Sequence, residues 1–180
     1  MTFHAPIERQ FQPIMRRDFR MWTDASGLKG LGGYFQEDER AGIHDIQPRA
    51  AFMLVLPRHI KRKQEHINSK EMRAVEQGLL RWGGLWKGSR PTLYIDNQAV
   101  VHGIKNQTVQ GGAVGVLHGC LLLASMYDLE LNPCWIPTGN NTLADALSRF
   151  DRRTVANIAP QLLSLFVHQK AGYLTFEVQA

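Results

Sequence analysis

Only two cysteines occur in the 180 residues, Cys120 and Cys134, both in apolar surroundings and without the paired spacing of a metal-binding motif. That scarcity argues against a disulfide framework or a thiolate zinc site and leaves both as buried free thiols. No run approaches the roughly eighteen consecutive apolar residues of a membrane span, so no membrane association is expected. Residues 1–18 mix His, Glu, Gln, Pro and Arg and lack an apolar signal core, which gives an intracellular expectation, cytoplasm or nucleus. There is no internal repeat and no low-complexity run. Acidic residues are fewer than basic ones, 16 against 21, for a formal charge of +5. This excess suits a polyanionic partner without establishing one.

What is present is ordinary for a globular chain: 44% hydrophobic and 21% charged residues, enough for one domain with a peripheral segment. Phe19 to Thr23 reads as a strand ending at Asp24 and a Ser-Gly turn, and Leu31 to Phe35 as its hairpin partner. After an acidic turn at residues 37–39, Ala51 to Leu56 gives a third strand. A basic stretch with Arg58, Lys61, Arg62 and Lys63 precedes a helix that Asn68 can cap, with Glu71 in the capping-box position. Met72, Val75, Leu79 and Trp82 form its apolar face, and Gly83-Gly84 ends it. Thr92 to Ile95 reads as a strand delivering Asp96, and Ala99 to Ile104 as a short helix. A longer helix runs through Val116, Leu117, Leu121 and Met126, then a strand over Leu131 to Ile136 and a helix over Thr142 to Ser148 carrying Asp145. Three antiparallel strands followed by alternating helices and strands imply an α/β mixed sheet with helices on its faces.

In such a sheet Asp24 and Asp96 sit at strand ends, where open α/β sheets form their sites. Glu71 and Asp145 lie near the starts of helices that can pack beside those strands. Singly, each acid has a plain structural role: a turn residue, a capping box, a helix cap and a solvated charge. Together, four carboxylates repel unless cations neutralise them. An all-oxygen set without a thiolate or imidazole cluster points to magnesium or manganese. Two such ions about 4 Å apart suit phosphodiester hydrolysis leaving 5′-phosphate and 3′-hydroxyl ends.

Four blocks now carry a resemblance: Trp22 to Ser26 (WTDAS), His66 to Val75 (HINSKEMRAV), Tyr94 to Ile104 (YIDNQAVVHGI) and Trp135 to Arg149 (WIPTGNNTLADALSR). In this order the chain resembles, from about Phe19 to Phe150, the type 1 ribonuclease H domains that follow reverse transcriptase in long-terminal-repeat and DIRS-like retroelements. The resemblance implies the RNase H-like fold, a five-stranded sheet with an antiparallel meander followed by parallel strands. It implies cleavage of the RNA strand of an RNA–DNA hybrid, with Asp24, Glu71, Asp96 and Asp145 catalytic and holding two Mg2+ or Mn2+ ions. Asn68 and Gln98 match minor-groove contacts, and Ser26, Asn97 and Asn141 complete the expected substrate-binding set. Asn and Gln amides both donate and accept, which suits a 2′-hydroxyl. A reverse transcriptase polymerase domain in the same polyprotein is the expected protein partner.

Two departures stand out. Many relatives carry a histidine ten residues before the last aspartate, where this chain has Trp135. The glycine-rich stretch Lys105 to Gly115 also replaces the basic helical protrusion with which some relatives grip the hybrid. Arg58 to Lys63 is either a phosphate contact or a solvated loop. Trp82, Trp86 and Trp135 are candidates for stacking, with packing the simpler reading of the first two. The expected organisation is a connector over 1–18, a catalytic domain over 19–150, and a C-terminal helix, tail or junction over 151–180. The competing functions are a non-catalytic scaffold module of the same fold and a DNA nuclease such as a transposase, integrase or resolvase.

Overall fold

In the computed structural model, residues 19–37, 40–56 and 65–168 are described. The basic stretch at Arg58 to Lys63 lies outside them, as do most of the acidic turn and residues 1–18 and 169–180. Five strands form one sheet: β1 (Arg20–Ala25), β2 (Gly30–Gln36), β3 (Ala51–Val55), β4 (Thr92–Ile95) and β5 (Asn132–Trp135), in the order β3-β2-β1-β4-β5. β1, β2 and β3 pair antiparallel, whereas β4 runs parallel to β1 and β5 parallel to β4. This is the expected meander followed by parallel strands. The helices are α1 (Ile67–Trp82), α2 (Gln98–Asn106), α3 (Val114–Met126), α4 (Thr142–Ser148), α5 (Arg152–Ile158) and a short α6 (Leu165–His168).

Strand periodicity assigns the faces. Met21 of β1 meets α1, where a Cβ on Gly78 would lie 2.2 Å from its sulfur. Asp24, three residues on, points to the opposite face and meets Ser148 of α4. Gly32, paired with Asp24, is where α4 lies on the sheet: a Cβ there would stand 2.3 Å from the Ser148 nitrogen. Helices therefore cover both faces, as the fold class requires.

The apolar face read on α1 is the core: Met72, Val75, Leu79 and Trp82 are all buried. Trp82 and Trp86 join Phe19, Phe35 and Phe52 in one aromatic cluster, so both are packing residues. Cys120 is buried, but Cys134 is only half-buried on β5, because that edge strand has no neighbour beyond it among the described residues. Val155, Ala159 and Leu162 are buried in the same core, so the chain after Phe150 packs against the sheet domain through Leu162. Among the described residues no single helix is long and apolar enough to cross a membrane.

One boundary differs in a way that matters. α1 begins at Ile67 and its N-cap is His66, whose ring Nδ1 accepts the Asn68 backbone N–H at 3.2 Å. Asn68 is thus inside the first turn rather than its cap, and Glu71 is not the far end of a capping box. An imidazole nitrogen satisfies the orphan helix donor in place of the usual short polar side chain. That frees the Asn68 amide and the Glu71 carboxylate for other partners.

Candidate active site

Three elements deliver three carboxylates to one end of the sheet. Asp24 is next to last on β1, Asp96 follows the last residue of β4, and Glu71 sits in the first two turns of α1. Parallel pairing of β1 with β4 brings the first two together, and the packing of α1 against β1 brings the third. One carboxylate oxygen from each lies within 4.8 Å of the other two. Asp24 and Glu71 are buried and Asp96 is half-buried.

Asp145 stands just outside this group. Its carboxylate accepts a 2.6 Å hydrogen bond from Arg149 Nε, one turn along α4. It is still close enough for its charge to raise the proton affinity of both Asp24 and Glu71. The structure therefore joins three of the four expected acids and sets the fourth beside them, paired with an arginine.

The site's electrostatics follow from burial. Desolvation, chiefly, with the charges of Asp145 and Asp96, pushes Asp24 up to about 6, although a hydrogen bond from Ser148 opposes the rise. Glu71 is pushed further, to about 9, by burial and then by Asp24 and Asp96, against a hydrogen bond from the Ala25 backbone. Its Oε2 is buried with no partner among the described residues. A buried, unpartnered oxygen on a carboxylate grouped with two others is what a cation site requires. An all-carboxylate donor set, with no thiolate or imidazole among the three, fits a hard divalent ion such as Mg2+ or Mn2+.

The remaining expected site residues divide by accessibility. Asn97 caps α2, accepting from the Ala99 and Val100 backbone, and its Nδ2 donates to Asn68 Oδ1 at 2.9 Å. The two asparagines thus tie the start of α1 to the start of α2 beside the carboxylates. Gln98 is exposed on the same turn. Ser26 and Asn141, expected to touch substrate, are both buried and their partners are internal. The Ser26 hydroxyl accepts the Lys29 N–H at 3.2 Å in the β1–β2 turn. The Asn141 amide donates to the Thr23 carbonyl at 2.9 Å and pins the start of α4 to β1. Trp135, the last residue of β5, donates its indole N–H to the Asp96 carbonyl at 3.1 Å.

Sequence reasoning passed over Ser148 and Lys70. Ser148 donates to Asp24, and buried Lys70 donates to the Gly27 carbonyl, holding the β1–β2 turn against α1. Ser148 lies three residues after Asp145, on the same face of α4, and that spacing was the available signal. A separate cleft between α2, α3 and β5, lined by Ile104, Leu121 and Pro133 among others, includes none of the four acids of the site.

No protein-family model and no curated protein matches the sequence. Solved structures do match the fold. RNase H1 LC11, isolated from compost by a metagenomic approach, is similar with a TM-score of 0.59 at 16% identity, over 76% of this chain and 97% of that one. The N-terminal RNase H domain of a Mycobacterium tuberculosis protein matches with a TM-score of 0.57 at 20% identity, over 72% and 95%. RNase H1 from Halobacterium salinarum matches with a TM-score of 0.55 at 15% identity, over 74% and 98%. LC11 has also been solved in complex with an RNA/DNA hybrid, and that structure matches with a TM-score of 0.56 at 15% identity, over 72% of this chain and 92% of that one. The chain has the ribonuclease H fold.

Proposed function

We propose that this chain is a metal-dependent ribonuclease H that cuts the RNA strand of RNA–DNA hybrids, acting in the cytoplasm or nucleus. The observation that carries the reading is the convergence of Asp24, Glu71 and Asp96 within 4.8 Å at one end of the sheet. Asp145 is the fourth member, on the neighbouring helix turn. Its sequence setting, with the other three blocks in order, supports descent from a retroelement polyprotein with a reverse transcriptase polymerase domain as neighbour.

In this reading Asp24, Glu71 and Asp96 hold the Mg2+ or Mn2+, one ion or two, with Asp145 completing the set. When bound, the metal supplies Lewis acidity for water attack on a phosphodiester, leaving 5′-phosphate and 3′-hydroxyl ends. The protein's part is positioning. Ser148 orients the Asp24 carboxylate, the Ala25 backbone orients Glu71, and Asn97 fixes the turn that carries Asp96. Glu71 and Asp24 must release their protons for the metal to enter, which ties activity to neutral or alkaline pH. In this reading the Asn68 and Gln98 amides read a 2′-hydroxyl, which is the chemical mark of the RNA strand.

The test is a substrate panel. The purified chain is incubated with labelled RNA–DNA hybrid, duplex DNA and duplex RNA in Mg2+, Mn2+ or EDTA. Metal-dependent cutting of only the RNA strand of the hybrid is expected. Cutting of duplex DNA would assign the fold to a DNA nuclease, and no cutting by folded protein in either metal would assign it to a scaffold.

A further inference from the structure

Of the four tryptophans, three pack against other rings of the fold. Trp82 and Trp86 are in the core, and Trp22 is stacked between Tyr34 and Tyr94 with centroids 4.9 and 4.7 Å away. Trp135 differs: it is 47% exposed and no ring of the described residues packs against it. Yet it is not loose. Its N–H donates to the carbonyl of Asp96, and β5 pairing sets it beside Ile95. A large ring is thus fixed one hydrogen bond from a carboxylate residue of the site, at the edge that also carries Asn97 and exposed Gln98.

The indole cannot take over acid–base work. Its nitrogen is a donor only, and that donor is already used on the Asp96 carbonyl. What remains available is a flat apolar face held in one orientation. Such a face stacks on a nucleobase or ribose whatever the sequence, which suits recognition by strand type. Holding the ring in place beforehand lowers the ordering cost of binding.

We propose that Trp135 is a substrate-contact and positioning residue: its N–H fixes the Asp96 backbone, and its exposed ring stacks on a nucleotide of the hybrid lying across the carboxylates. The proposal rests on the nuclease reading above.

The experiment compares the full chain with W135F and W135A. Cleavage is measured in the otherwise native protein, and binding to labelled hybrid in a Glu71→Gln background. Far-UV circular dichroism confirms the fold of each variant. Indole emission of the Glu71→Gln protein should be quenched by hybrid, and most of that quench should be lost in the W135F form, since Trp82 and Trp86 are buried and Trp22 is half-buried between two tyrosines. W135A should bind hybrid about tenfold more weakly, the range of one lost stacking contact. W135F keeps a ring but lacks the N–H, so it should bind within about threefold of the parent while kcat falls about tenfold. Equal binding by W135A and its parent, or a quench undiminished in W135F, would overturn the proposal while the nuclease reading stands. A parent protein that neither binds nor cuts hybrid would overturn both.

Discussion

Glu71 shows what the site costs the protein without a cation. Burial and two neighbouring carboxylates raise its carboxyl to about 9, so the folded state holds a proton that the unfolded chain releases near its ordinary value of 4.5. The sign follows from linkage: where the folded state binds more protons than the unfolded, stability falls as pH rises. The loss begins above about 4.5 and is complete above about 9; Asp24, raised to about 6, adds a smaller loss below neutrality. Glu71→Gln should therefore raise the thermal midpoint of the metal-free protein by several degrees at pH 8 and by much less at pH 4. Adding Mg2+ should stabilise the wild type more than this variant. Thermal melts in EDTA and in Mg2+ across pH 4–9 check both points, and a wild-type stability in EDTA that rises from pH 6 to 9 would contradict them. Glu71 was legible in the sequence as an acid at the start of a helix. Its place among the metal-binding acids was expected from the four blocks; its freedom from a capping box was not, because histidine is an unusual cap and Asn68 offered a more familiar one.

At the scale of elements, the amphipathic face of α1 and the strand delivering Asp96 were plain from apolar spacing alone. The position of α4 was less so, since nothing in a seven-residue helix states which strand it covers. Gly32 and Ser148 answer that question. The glycine lets α4 come down on the sheet, and the serine reaches Asp24. A methyl at Gly32 would meet the Ser148 nitrogen at 2.3 Å and the Ala144 carbonyl at 2.7 Å, both backbone atoms that cannot rotate away. Gly32→Ala should cost about 2–4 kcal/mol of stability and slow cleavage by shifting α4 away from Asp24. Urea unfolding and cleavage rates check this; a neutral substitution would mean α4 is not seated as described. The Asp145–Arg149 pair has helix spacing of i,i+4, which could have been read in advance as a tether on the fourth acid.

For the whole molecule, the order of elements gave the mixed sheet because the switch from hairpins to helical crossovers dictates where parallel strands must enter. The convergence of the carboxylates is a tertiary property. It depends on β4 lying beside β1 and on α1 crossing that sheet, and no local pattern states either. The single change that probes this convergence with least disturbance to the fold is Asp96→Asn, which keeps size and shape and removes one charge from the half-buried end of β4. Cleavage of a labelled RNA–DNA hybrid in Mg2+ is the measurement, with thermal midpoints of both proteins beside it. The account predicts that the wild type cuts the RNA strand and that the variant, equally folded, loses at least about a hundredfold in rate. A folded Asp96→Asn protein cutting at the wild-type rate would contradict the assignment of the site.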